Sequence, residues 1–170
     1  VVEDRVPQAR IMKIWNVPPA FTAESDLLAL TAQLLGSGKT SRLYKRLIYD
    51  DQVATDLSVY LDSREIAGLF TIQVDVKPGV DVAVVEKAID EELQRFLSGG
   101  PTPKELEKVR MQYLARFIRG SERIGGFGGK SDILARSQVF GNSPDAYRRS
   151  LENIAAATPE VKAPGALAKF

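Results

Sequence analysis

Two stretches in which the side-chain period is two constrain this chain more than anything else in it. Val53, Thr55, Leu57, Val59 and Leu61 alternate with Ala54, Asp56, Ser58, Tyr60 and Asp62. After a polar turn near Ser63-Arg64-Glu65, Phe70, Ile72, Val74 and Val76 alternate with Thr71, Gln73, Asp75 and Lys77. Successive side chains of a strand point to opposite faces, so each stretch reads as a strand with one buried face. A short link between two such strands makes an antiparallel hairpin, because parallel neighbours need a crossover of a dozen or more residues. Any fold built on this hairpin must cover its inner face with apolar elements.

The rest of the chain supplies the cover. Residues 9–17 are rich in Ile, Met, Trp and Val and predict a strand that Pro18-Pro19 stops. Thr22 is placed to cap a helix over residues 23–35, where Leu27, Leu30 and Leu34 recur at helical spacing. Gly36-Ser37-Gly38 ends it, and residues 40–50 predict a second helix burying Leu43, Leu47 and Tyr44. Past the hairpin and Pro78-Gly79, Asp81 caps a helix with Val82, Val85, Ile89, Leu93 and Phe96 on one face. Gly99-Gly100-Pro101 breaks that helix. Thr102-Pro103-Lys104-Glu105 is then a capping box with Pro at the first helical position. Its helix runs to about Ile118, with Leu106, Val109, Tyr113 and Phe117 as the stripe. Ser143-Pro144 and Thr158-Pro159 repeat the start signal and predict two more helices, the last interrupted by Pro164.

This order predicts an α+β domain, a small antiparallel sheet with helices packed on one face. At 170 residues, the expectation is one domain over 1–170. The start, Val1-Val2-Glu3, lacks an initiator Met, and residues 166–170 end in a helix-like stretch, so the chain reads as a fragment of a longer one.

Missing residue types bound the chemistry. The chain has no His and no Cys. His is the commonest transition-metal ligand and the usual general base near neutral pH, and Cys is the thiolate nucleophile. A hydrolytic site here would rest on Asp, Glu, Lys, Tyr, Ser or Thr alone. A net charge of +1 points to neither a nucleic acid nor a membrane surface as the main partner. No apolar run approaches the roughly 20 residues that span a bilayer.

Four motifs invite a functional reading. Gly36-Ser37-Gly38-Lys39-Thr40-Ser41 looks like the end of a phosphate loop, but the required first Gly is Gln33, and a helix precedes it instead of a strand. A helix C-cap followed by the next N-cap accounts for it. Gly125-Gly126-Phe127-Gly128-Gly129-Lys130-Ser131 fails the same test at Ile124. It reads as a loop, a kink or a close approach of another backbone, and flexibility between two helices is the plainest account. The carboxylates Asp50-Asp51, Asp90 and Glu91-Glu92 fall in a turn or on a polar helix face, where solvated charge is ordinary. Arg42, Lys45, Arg46, Arg116, Arg119 and Arg123 likewise read as solvated helix faces.

In series, several stretches resemble one family. Leu34-Leu35-Gly36-Ser37-Gly38-Lys39-Thr40-Ser41-Arg42-Leu43-Tyr44 is similar to the L-G-x-G-x-x-S-R-L-Y/F segment of the M16 zinc metallopeptidases, the pitrilysin, insulinase and mitochondrial processing peptidase group. Gly68-Leu69-Phe70 resembles its G-L-F strand. Glu91-Glu92-Leu93 with Gly99 to Arg110 resembles its E-E-L and G-P-T-x-x-E-L segments, and Thr158-Pro159-Glu160 its T-P-E.

The resemblance implies a LuxS/MPP-like domain, one of several that close like a clamshell around a peptide. In that family, one domain carries an inverted zinc motif, His-x-x-Glu-His, in which the Glu activates water. That motif is absent, so this segment resembles a non-catalytic domain with no catalytic or metal residue of its own. Zinc is then expected in a partner domain, and the segment alone is expected to be inactive. The family also often places an Arg and, seven residues later, a Tyr that hold the peptide and steady the oxyanion. Aligned on Ser41-Arg42-Leu43-Tyr44, those places fall on Ile48 and Thr55. The implied partners are a zinc-bearing M16 domain or subunit, in a homo- or heterodimer, and a peptide that pairs with a sheet edge. A bacterial periplasmic or cytoplasmic protein is the expectation. The alternative is a purely structural or assembly domain of the same fold, like the core proteins of respiratory complexes, with no peptidase activity.

Overall fold

The computed structural model describes residues 8–159. Strands β1 (Arg10–Val17), β2 (Ala54–Ser63) and β3 (Gly68–Val76) form one antiparallel sheet in the order β1-β3-β2. The β2–β3 hairpin pairs Leu57 with Val74, Val59 with Ile72 and Leu61 with Phe70. On the other side β1 sets Ile11, Lys13 and Trp15 opposite Val74, Ile72 and Phe70. These rows are the inner face, and Phe70, Ile72 and Val74 are wholly buried there.

The alternation breaks at one place. A bulge between Ala54 and Asp56 sets Ala54 opposite Val76 and Asp56 opposite Asp75. The extra residue is Thr55, which is exposed, while Ala54 is buried in the inner position that strict alternation assigns to Thr55. The inner row therefore runs Ala54, Leu57, Val59, Leu61.

Helix α1 (Ala23–Gly36) starts where Thr22 Oγ1 accepts a hydrogen bond from the Ser25 amide at 3.2 Å. It packs on β2 and also against α4 (Pro103–Glu122) and α6 (Ala146–Ala156). Leu28 and Leu35 are thus wholly buried, and Leu30 and Leu34 nearly so, whereas Leu27 of the predicted stripe is half-buried. A helix that is apolar around its circumference is a central one. Helix α2 (Arg42–Tyr44) continues into a stretch of π-helix, Lys45–Asp50, and the pair buries Leu43 and Leu47 completely.

Helix α3 (Val82–Gly99) is capped by the Asp81 carboxylate, which accepts from the Ala83 amide at 3.0 Å. Val85, Ile89, Leu93 and Phe96 join the core, while Val82 is exposed. Lys13, the one polar residue in the inner row of β1, reaches α3, with Nζ 2.5 Å from Asp90 and 3.3 Å from Glu86. The capping box of α4 is complete: the Glu105 amide donates to Thr102 Oγ1 and the Thr102 amide to Glu105 Oε2.

Helix α5 (Lys130–Gly141) is absent from the sequence expectation, and α6 is the helix that Ser143-Pro144 predicts. Ser137 is the only residue of α5 that is fully buried, so no apolar stripe announces the helix. The glycine run before it is a close approach of backbone to backbone. Gly126 and Gly128 have φ of +82° and +71°, and a Cβ on Gly120 of α4 would collide with the Gly128 carbonyl. The Lys130 and Ser131 amides close the loop on the carbonyls of Arg123 and Ile124 at 2.8 and 3.0 Å. The helix predicted from Thr158-Pro159 lies outside the described residues. Among those described, no helix is long and apolar enough to cross a membrane.

Candidate functional site

The segment between α1 and β2 holds the positions that the sequence singled out. It begins at Gly36, where a Cβ would lie 2.6 Å from Val59 Cβ, so only glycine lets α1 end against β2. The Ser37 amide donates to the Gln33 carbonyl at 3.0 Å and Ser41 Oγ to the Gly38 carbonyl at 2.7 Å. The phosphate-loop lookalike is thus a helix-to-helix turn that satisfies its own polar groups.

Ile48 lies in the π-helical stretch, where the Asp51 amide reaches back to the Arg46 carbonyl at 2.9 Å. Insertions of this kind are frequent at functional sites. Ile48 lines an open pocket of about 450 Å³ with Lys39, Thr40, Tyr44, Lys45 and Tyr49. Thr55 is not part of it. Its hydroxyl donates to the Asp75 carbonyl at 3.3 Å beside the β2 bulge. The Ile48 side chain offers no hydrogen-bond donor, and the Thr55 hydroxyl is shared between the Asp75 carbonyl and Gln8 Oε1, the latter at 3.4 Å.

Arg42 corrects the reading of the basic residues. It is not a solvated helix face. Its guanidinium makes a two-pronged ion pair with Glu105 at 2.9 and 2.8 Å, donates to the Gly100 carbonyl at 2.9 Å, and lies 5.3 Å from the Phe96 ring centre. The fork geometry of Arg suits a bidentate carboxylate. The pair ties α2 to the α3–α4 junction. Arg42 beside it, together with the Thr102 amide and hydroxyl, holds the Glu105 carboxyl down at about 2. Arg46 is likewise bound, to Asp51 at 2.5 Å and Glu91 at 3.3 Å.

The carboxylate runs dissolve into ion pairs. Asp51 and Glu91 meet Arg46, Asp90 meets Lys13, and Asp50 lies 3.6 Å from Lys45. Glu92 departs from the expected solvated face: it is buried and held by Arg95 at 2.6 Å. Among the described residues, no group of three or more His, Cys, Asp or Glu is placed to hold a metal.

One polar group went unread in the sequence. Asp26 is buried in the first turn of α1, with Oδ2 accepting from Asn153 Nδ2 at 2.8 Å. An Asp in a first turn reads as a partner for the helix dipole. Its burial depends on α6, which arrives over a hundred residues later.

The family model described as the Peptidase M16 inactive domain matches residues 1–113. The chain belongs to that family. Solved structures show the same fold over nearly the whole M16 chain. A protease from Helicobacter pylori superposes with a TM-score of 0.83 at 20% identity, covering 96% of this chain and 39% of that one. A structure from Bordetella parapertussis, described as the inactive peptidase domain of a zinc protease, gives 0.80 at 17%, covering 99% and 88%. A chain of Complex III2 from Candida albicans gives 0.76 at 13%, covering 98% and 41%. The chain therefore spans about two fifths of the first and third. No curated protein matches it. Likeness at these identities carries the fold, while function has to be argued from the site.

Proposed function

We propose that this M16 inactive domain is a single non-catalytic unit of a zinc peptidase, walling the peptide chamber and packing against a domain that carries the zinc. The observation that carries the reading is the match to the inactive-domain model in a chain with no His and no Cys. Ile48 and Thr55 support it: where many relatives would hold a peptide with Arg and Tyr, this chain has an aliphatic pocket wall and a hydroxyl that faces its own Asp75 carbonyl and Gln8. The sheet supports it as well. Its outer face leaves Met12 and Ile14 half exposed and Tyr60 and Leu69 exposed, and β1 and β2 are both edges. An apolar sheet face flanked, among the described residues, by two edge strands suits a peptide or a neighbouring domain.

The test is reconstitution. The chain would be mixed with a zinc-bearing M16 domain from the same genome and assayed on a fluorogenic peptide. The reading expects a stable complex and cleavage only when both are present. A chain that fails to bind the zinc-bearing domain, or that leaves its activity unchanged, would remove the proposal.

A second reading, a scaffold without peptidase function, draws support from the same Ile48 and Thr55 and from the fold shared with the Complex III2 chain. It predicts complex formation with no gain in cleavage.

A further inference from the structure

A second cavity, of about 380 Å³, lies where the first turn of α1 and the end of β2 meet α4, α5 and α6. That size is at the small end of the roughly 300–1,000 Å³ usual for ligand pockets. Its lining combines buried polar groups with aromatic walls. Asp26 is 8% exposed, and its carboxylate faces Asn153 and Ser150. Ser137 is wholly buried, lines the cavity, and among the described residues its Oγ has no hydrogen-bond partner. A buried hydroxyl without a partner is unfavourable, and a guest that hydrogen-bonds to it would relieve that. Phe117 and Tyr147 stack beside it with ring centres 5.6 Å apart.

The charges select the ligand. Asp26 and Asp132 line the cavity, and among the described residues the one cation in its wall is Arg136. That guanidinium lies 5.5 Å from the Phe140 ring centre and donates at 3.4 Å to the carbonyl of Ser63 at the cavity wall. An anion would meet two carboxylates. A purely apolar guest would leave the Asp26 carboxylate, hydrogen-bonded only by neutral groups, without a counter-ion and Ser137 Oγ without a partner. A carboxylate, a hydroxyl with free lone pairs and two aromatic faces together suit a cation on a short apolar stem.

We infer that this cavity binds an alkylammonium or alkylguanidinium group, its charged end against Asp26 and Ser137 and its stem along Phe117 and Tyr147. The inference stands apart from the zinc reading, since it uses none of the same residues. Two sources share this chemistry: a basic side chain of a peptide or neighbouring domain, and a free amine.

The test titrates the chain with n-butylguanidinium, with n-butylammonium and with the uncharged isostere n-butylurea, followed by calorimetry and amide chemical shifts. Binding in the millimolar range is expected for the cations, about tenfold tighter than for the urea. The shifts should centre on Asp26, Ser137 and Tyr147. Asp26→Asn should remove at least about tenfold of the cation's affinity. Ser137→Ala, which keeps the volume of the site nearly unchanged, should weaken it about threefold. Retention of the wild-type amide spectrum elsewhere shows that each variant is folded. A Gly-Arg-Gly peptide that binds more tightly than n-butylguanidinium assigns the site to a basic side chain, and one that binds more weakly assigns it to a free amine. Equal binding of cation and urea, no binding of either, or full affinity in both folded variants would overturn the inference.

Discussion

Two carboxylates in this domain meet opposite fates. Glu105 faces Arg42 and a helix cap, and its carboxyl is held at about 2. Asp26 is buried among neutral donors, and burial pushes its carboxyl up from the ordinary value. Both sit in the first turn of a helix, Glu105 in α4 and Asp26 in α1. The difference lies in what arrives from elsewhere in the chain. A guanidinium reaches Glu105 from α2 and closes a structural clamp. An amide and a hydroxyl reach Asp26, and a cavity remains beside it. A satisfied charge holds the fold together; a charge lacking a counter-ion leaves a demand for one.

Breaking the clamp should have the largest effect. Arg42→Leu leaves Glu105 and the Gly100 carbonyl without their donor and should cost about 2–3 kcal/mol, read as a lower urea midpoint. Arg42 is 16% exposed and Glu105 33%, so the full cost of breaking a deeply buried pair is not expected. Glu105→Gln keeps the size and part of the capping role, and should cost about 1–2 kcal/mol. Acid should act as that substitution does. A depressed carboxyl contributes stability that is complete above the ordinary 4.5 and fades as the pH falls toward about 2. About 1–2 kcal/mol should therefore disappear over that window in the wild type and be absent from the Glu105→Gln variant. An equal acid loss in both would separate the clamp from the titration.

The smallest effect should have the opposite sign. A carboxyl raised by burial favours folding while protonated and weakens it once ionised, as the pH rises through its folded value. Asp26→Asn removes that penalty while leaving an oxygen for Asn153. At neutral pH the variant should be more stable than wild type by up to about 1 kcal/mol, and the gain should vanish in acid. A destabilised variant at neutral pH would mean that a counter-ion for Asp26 is already in place.

Much of the scaffold was legible because it is local. The hairpin, the Thr22 and Asp81 caps and the Thr102–Glu105 box depend on residues a few places apart. The misreadings depend on distance. Arg42 projects away from its own helix stripe, yet its partner lies 63 residues on. Helix α5 has no stripe because Ser137 alone is fully buried. The bulge at Thr55 reverses two residues inside an otherwise regular alternation, and periodicity has no signal for a single insertion. Absence of imidazole and thiolate was legible at once, since it needs no geometry.

The measurement closest to that last point is equilibrium dialysis of the chain against zinc, paired with a peptide-cleavage assay of the dialysed protein. The account predicts no stoichiometric zinc and no cleavage until a zinc-bearing partner is added. One tightly held zinc per chain, with cleavage by the chain unaided, would contradict it.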